Sequence, residues 1–318
     1  MKMTSIGIYA GIGSGLLGAK WAGFEPIYNH EPRPFFNPGT FKHNFPRVGF
    51  SDRLRPTDLK PNLTISQPSC KAFSISSNTK RSDIDTDFIK DQDVFKTMRV
   101  IEIYQPDYFI VENVYGLLEH LTVIKEGGLF FNAFPDKIFL GDYSITYAKL
   151  NALEFGVPQR RRRVYIVGVK GKDTPKVKIT PKREGGKYYV GFSVFDAFET
   201  ITDDLPNMDK PKHAPHKVMG IKRLKAEETY YGSQGNMKLN MRKPSPVVAA
   251  AASRSLHPFE PRSITVRESA RLMGYPDDFI FYGKTTNQLD QVGKAVVPQV
   301  IYSICIDIRR HAKQYGIL

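Results

Sequence analysis

Cysteine is nearly absent from this chain of 318 residues: two occur, Cys70 and Cys305. Two thiols so far apart make neither a disulfide framework nor a zinc site, which excludes the small stapled folds and the zinc-ribbon classes. Long apolar runs are missing too. No stretch approaches the roughly 18 apolar residues that span a bilayer, and residues 1–5 lead into a short apolar segment and glycines rather than a signal-peptide core. The expected location is the cytoplasm. Acidic residues are also in short supply, 32 Asp and Glu against 46 Lys and Arg, which leaves a net charge of +14 and a pI near 9.6. Such an excess favours a polyanionic partner, nucleic acid before membrane, because no basic amphipathic helix stands out. No internal repeat or low-complexity tract is visible.

What is present is the composition of an ordinary globular protein, 41% apolar and 25% charged, long enough for one large domain and a smaller one. Residues 5–9 form an apolar run that ends in Ala10-Gly11-Ile12-Gly13-Ser14-Gly15 before a helix-compatible stretch, 16–22. Strand, glycine turn and helix suggest a nucleotide half-site, although a plain tight turn reads the same way. A second apolar stretch, 24–28, closes on Asn29-His30-Glu31, where a carboxylate can accept hydrogen bonds from ribose hydroxyls. A third strand end precedes Asp52. The fourth, 63–67, runs into Pro68-Ser69-Cys70 and holds a thiol at the rim of a sheet, where ligands of open α/β sheets sit.

Residues 80–93 are charged and poor in apolar side chains, a loop before a helix over 94–104. The continuous apolar run 108–111 reads as a buried parallel strand that delivers Glu112 at its carboxyl end. Gln159-Arg160-Arg161-Arg162-Arg163 abuts a β-branched strand, 164–169, so alternation turns Arg161 and Arg163 to one face and Arg160 and Arg162 to the other. From about 170 to 256 the chain becomes basic, rich in Lys, Pro and Gly, and loses clear periodicity, which suits phosphate contacts. Thr265 and Glu268 then form a capping box before a short helix, and an apolar helix over 300–308 closes the chain. The fold expected is α/β: a Rossmann-like sheet with helices on both faces, built from 1–170 and 258–318, plus a small irregular recognition domain over 171–257.

Six of these segments, in this order, resemble the motifs of the cytosine-C5 DNA methyltransferase family. Tyr9 to Gly15 (YAGIGSG) is similar to its cofactor glycine motif, PSCKAFS to its proline–cysteine nucleophile loop, and ENV to its base-holding carboxylate motif. QRRRR, RSITVRESARLMGYPDDF and GKAVVP resemble the three that follow. The resemblance covers nearly the whole chain except the middle region. It implies that Cys70 adds to C6 of a cytosine flipped out of double-stranded DNA, because C5 alone is too poor a nucleophile to accept an alkyl group. It implies that Glu112 holds N3 and the amino edge, that Arg163 contacts O2 and that Arg161 supports the catalytic loop. S-adenosylmethionine would lie across Gly11, Gly13 and Gly15, with its ribose on Glu31 and its adenine near Asp52, and a loop over 74–93 would close on the base. A monomer acting in a bacterial or phage-infected cell is the form the family implies.

Three residues depart from the family pattern. Ser69 stands where proline is usual and Ser14 where glycine is usual. Lys294 replaces an asparagine near the sulfonium end of the cofactor, a like-charge contact worth about 3 kcal/mol of repulsion at about 5 Å and an effective dielectric of about 20. Two resolutions stay open. Lys294 pairs with a protein carboxylate or a DNA phosphate, or the donor is carboxy-S-adenosylmethionine, whose extra carboxylate pairs with it and whose product is 5-carboxymethylcytosine. A DNA-binding module without catalysis and a tRNA-directed methyltransferase of the same fold are the alternatives of another class.

Overall fold

The structure, a computed structural model, describes residues 3–33, 36–53, 59–70, 73, 92–123, 129–132, 139–181, 191–230, 236–248 and 255–317. The strands in chain order are β1 (Thr4–Ile8), β2 (Glu25–His30), β3 (Gly49–Ser51), β4 (Leu63–Ser66), β5 (Tyr108–Asn113), β6 (Leu121–Val123), β7 (Leu129–Phe131), β8 (Tyr143–Asn151) and β9 (Arg162–Lys170). Seven of them form one sheet in the order β3-β2-β1-β4-β5-β9-β8, with β6 and β7 paired as a separate ribbon. β3, β2, β1, β4 and β5 run parallel, β9 runs antiparallel to them, and β8, antiparallel to β9, runs in their direction again. The chain winds outward from β1 to β3, then returns to β4 on the other side of β1. That reversal opens a crevice at the carboxyl ends of β1 and β4, where open sheets bind ligands.

Helices cover the sheet: α1 (Ser14–Trp21), α2 (Pro38–Asn44), α3 (Asp93–Tyr104), α4 (Val194–Phe198), α5 (Pro215–Arg223), α6 (Val266–Leu272), α7 (Thr285–Lys294) and α8 (Pro298–Gln314). α1 follows the glycine turn because Gly13 takes a left-handed conformation, φ 86°, at its N-cap, a backbone state with no steric penalty for glycine. α8 packs on α1 so closely that a Cβ at Gly18 would lie 2.3 Å from the Pro298 carbonyl oxygen. The apolar stretch 300–308 is only the middle of α8, whose buried stripe continues to His311 and Ala312. α6 carries the expected capping box: Thr265 accepts from the Glu268 amide, and Glu268 accepts from the Thr265 amide.

The middle region is more regular than its composition suggests. It holds α4, α5 and the short strands β10 (Thr229–Tyr230), β11 (Asn236–Lys238) and β12 (Ser255–Leu256), which pair as a three-stranded sheet. Residues 175–180 run back along α8, tied by Thr180 N–H to Asp307 at 2.8 Å and by His311 to the Pro175 carbonyl at 2.6 Å. Val177, Val194, Ala197 and Leu239 join the same buried cluster as α1, α8 and the inner face of the sheet. Among the described residues no helix is long and apolar enough to cross a membrane.

The Ser14 hydroxyl hydrogen-bonds the buried phenol of Tyr275. A glycine at position 14 would leave that phenol without this partner, so the Ser14 departure has a packing reason. Ser14→Ala and Tyr275→Phe should each destabilise the protein by about 1–2 kcal/mol in chemical denaturation. The double variant should cost little more than either one, since removing both partners leaves no orphaned group. Additive losses would mean that the two hydroxyls act independently.

Candidate active site

Three strand ends and the start of a fourth strand converge beside the switch point. β4 ends at Ser66, and Gln67-Pro68 carry the chain out of the sheet to Cys70, which is half-buried. Asn113, the last residue of β5, donates its side-chain amide to the Pro68 carbonyl at 3.2 Å. The Ser69 amide donates to Asp93, the first residue of α3, at 3.3 Å. A proline at position 69 has no N–H for that bond, so the departure at Ser69 adds a tie between the thiol loop and α3.

Glu112 sits on β5, 8% exposed. Its carboxylate meets the Arg163 Nε at 3.3 Å. Burial pushes its pKa above the usual carboxylate value, and the Arg163 and Arg161 guanidiniums only partly offset that rise. Both arginines reach it because β9 is antiparallel to β5, which sets the start of β9 beside the end of β5: Glu112 faces Tyr165 and Asn113 faces Val164. The expected alternation holds. Arg160 and Arg162 are exposed, Arg161 is 4% exposed and Arg163 is half-buried.

Arg161 donates to the carbonyls of Gly293 at 3.1 Å and Ala295 at 2.8 Å, and more weakly to Val248 at 3.5 Å. Burial lowers its pKa to about 10, with Arg163 adding to the fall and Glu112, Tyr165 and Cys70 opposing it. Its charge is therefore felt at both Glu112 and Cys70. Gln159, fully buried, donates to the Leu272 carbonyl at 3.0 Å and accepts from the Val248 amide at 3.3 Å. The QRRRR segment thus ties together the sheet, the end of α6, the end of α7 and the last part of the middle region.

On the other side of β1 lies the candidate cofactor cleft. Gly11, φ 59°, turns its amide to the Glu31 carboxylate at 2.7 Å, and Asn29 donates to the Gly11 carbonyl at 3.1 Å. Tyr9 also has a positive φ, 54°, and its amide bonds to the His30 carbonyl. Asp52 is exposed just beyond β3. The Gly11–Gly15 turn, Glu31 and Asp52 therefore lie at adjacent strand ends, as a nucleoside seat requires. A Cβ on Gly15 would lie 2.7 Å from Gln67 Nε2, a buried amide nitrogen with no hydrogen-bond partner among the described residues. A glycine cradle of this kind, with an amide donor beside it and a carboxylate, held by Arg33 and the Gly11 amide, at the next strand end, fits S-adenosylmethionine.

Lys294, the last residue of α7, pairs with Asp290 one turn earlier, Nζ to Oδ2 3.0 Å. Arg33 was not anticipated from the sequence. Its guanidinium clasps Glu31 through Nε at 2.7 Å and Nη2 at 2.6 Å, reaches the carbonyls of Tyr9 at 2.6 Å and Gln67 at 3.3 Å, and stacks on Phe36. The expected closing loop over 74–93 lies outside the described residues except for Gln92 and Asp93.

The family described as C-5 cytosine-specific DNA methylase matches residues 3–310, nearly the full chain. The chain belongs to that family. Among its curated relatives, the type II methyltransferase M.DdeI of Desulfomicrobium norvegicum is 28% identical over 370 aligned positions, covering 93% of this chain and 86% of the relative. The type II methyltransferase M1.HphI of Haemophilus parahaemolyticus is also 28% identical, covering 96% and 86%. A solved structure assigned as a DNA modification methyltransferase encoded within an E. coli prophage superposes with a TM-score of 0.76 at 21% identity, covering 98% of this chain and 99% of that one. That likeness shows a shared fold over nearly the whole chain.

Proposed function

We propose that this protein methylates cytosine at C5 in double-stranded DNA, using S-adenosylmethionine, with Cys70 as nucleophile. The observation that carries the reading is the convergence of Cys70, Glu112, Arg161 and Arg163 at one corner of the sheet, from three separate segments of chain. A target base is stacked in the duplex and must be flipped out to reach such a corner, at a cost of a few kcal/mol. The Cys70 sulfur bonds to C6 while N3 takes a proton from Glu112, and the C5–C6 π electrons make C5 enamine-like. The raised pKa of Glu112 suits that role, because a carboxyl that keeps its proton can donate it. Arg163, at the outer edge of Glu112, holds the base's O2, and Arg161 fixes the loop geometry behind them. When bound, S-adenosylmethionine supplies a methyl group on a sulfonium, an electrophile for the activated C5. As C5 takes the methyl group, N3 returns its proton to Glu112, and loss of the C5 proton to solvent with departure of the Cys70 thiolate from C6 then restores the aromatic ring.

Glu31 takes the ribose, Asp52 lies on the adenine side, and Tyr9, Gly11, Gly13 and Gly15 form the floor. The exposed Arg160 and Arg162, with the basic 171–257 region as target-recognition domain, supply the phosphate contacts that hold DNA. A base-flipping site of this asymmetry works in a monomer.

A second reading is carboxymethyl transfer from carboxy-S-adenosylmethionine, with Lys294 holding the added carboxylate. The Lys294–Asp290 ion pair supports methyl transfer instead, since it already gives the lysine a compensating charge. Mass spectrometry of nucleosides from duplex DNA incubated with both donors tests this. The expected product is 5-methylcytosine, and Lys294→Asn should change its rate by no more than about threefold, as for a partly exposed ion pair. Accumulation of 5-carboxymethylcytosine, lost in Lys294→Asn, would reverse the choice. Methylation of tRNA in preference to duplex DNA would overturn the assigned substrate.

A further inference from the structure

Gln67 has a role that the nucleophile motif does not account for. It is 6% exposed, yet among the described residues its side-chain Nε2 has no hydrogen-bond partner. Buried amide donors are almost always paired, and leaving one unpaired costs about 1–3 kcal/mol. Its position is equally specific. A Cβ built on Gly15 would lie 2.7 Å from this nitrogen and 2.8 Å from Ile65 Cγ2, so the donor rests directly against the glycine turn at the end of β1. The main-chain carbonyl of the same residue accepts from Arg33, whose guanidinium also bonds the Tyr9 carbonyl, 3.3 and 2.6 Å respectively. A buried N–H with no partner among the described residues and the guanidinium that pairs with Glu31 therefore both lie at the carboxyl ends of β1 and β4.

The sheet order narrows what that point receives. Glu31 follows β2, on one side of β1, and Gln67 follows β4, on the other. A nucleoside cofactor laid across the end of β1 presents its ribose hydroxyls, which are donors, to the Glu31 acceptor, and its adenine lies further out toward β3. Its remaining strong acceptor is a carboxylate, and that end of the molecule lies on the β4 side. We infer that the Gln67 side-chain amide, supported by Arg33, is a specificity-determining donor for a cofactor carboxylate. This rests on the cofactor reading above. The carboxylate has two possible sources, the amino-acid end common to all S-adenosylmethionine-type cofactors or the extra group of carboxy-S-adenosylmethionine, and one set of measurements separates them.

The test is calorimetric affinity, with no turnover, for three probes: S-adenosylhomocysteine, its analogue without the carboxyl group (S-adenosyl-3-thiopropylamine), and carboxy-S-adenosylmethionine. Gln67→Met keeps the length and removes the donor, and Gln67→Glu keeps the shape and places a like charge. Unchanged melting temperatures and retained affinity for the decarboxylated analogue show that both variants fold. If the amino-acid carboxylate is held, Gln67→Met weakens S-adenosylhomocysteine roughly tenfold or more, the size of one hydrogen bond to a charged group. Gln67→Glu weakens it further, and the decarboxylated analogue is unaffected by either. If only the extra carboxylate is held, the loss falls on carboxy-S-adenosylmethionine alone. Equal affinities of wild type and variants for all three probes overturn the inference while leaving the cofactor reading intact. No binding of any probe to the wild type overturns both.

Discussion

Cys70→Ala protein is expected to transfer no measurable methyl group, a fall of at least about 10,000-fold, because nothing else in the site can form the bond to C6. The measurement is incorporation of labelled methyl into duplex DNA under single-turnover conditions. The loss should be confined to chemistry. Cys70 is half-buried on a loop held by Asn113 and Asp93 rather than by its own side chain, so folding and DNA affinity should stay within a few fold of wild type. Cys70→Ser gives the sharper result. With duplex DNA carrying 5-fluorocytosine at the target, the wild type should form a denaturant-resistant complex and the serine variant none. A covalent complex with Cys70→Ser would remove the thiol from the mechanism.

Glu112→Gln is expected to lower kcat by roughly 100- to 10,000-fold, the range for loss of a general acid. It should do so with little change in the affinity for DNA, since the amide still offers polar atoms to the base edge. The pH profile distinguishes proton donation from simple hydrogen bonding. Burial raises the pKa of Glu112, and the form that donates is the protonated one. Activity should therefore decline on the alkaline side as Glu112 loses its proton, and this limb should vanish in Glu112→Gln. A Gln variant that keeps the alkaline limb would assign that limb to another group.

The residues readable from sequence were those whose meaning is local. A proline–serine turn after an apolar run exposes a thiol whatever else surrounds it. Period-two alternation separated Arg161 and Arg163 from Arg160 and Arg162 before any partner was known, and the Thr265–Glu268 capping box needs only a spacing of three. The direction of β9 was not readable, since β-branched residues favour a strand without saying which way it runs. That direction is what brings Arg163 to Glu112. Arg33 clasps Glu31 only two residues away, but its placement over the sheet, like that of Gln67, comes from distant segments: Arg33 donates to the Tyr9 carbonyl across 24 positions and to the Gln67 carbonyl across 34. Lys294 is the instructive case. Asp290 stands four residues before it, a spacing that on a helix marks an ion pair, and that signal was available without coordinates. The middle region lacked periodicity because its helices and strands are short and share the main core through single residues such as Val194 and Leu239.

The bonds from Arg161 to the Gly293 and Ala295 carbonyls span 132 and 134 positions, and α1 packs against α8 from the far part of the chain. A ribosome making this chain releases the nucleophile loop, the carboxylate and the arginine run long before the segment that locks them. A polypeptide cut short before α7 would therefore carry the thiol, the carboxylate and the arginine run without the Gly293 and Ala295 carbonyls that hold Arg161 in place.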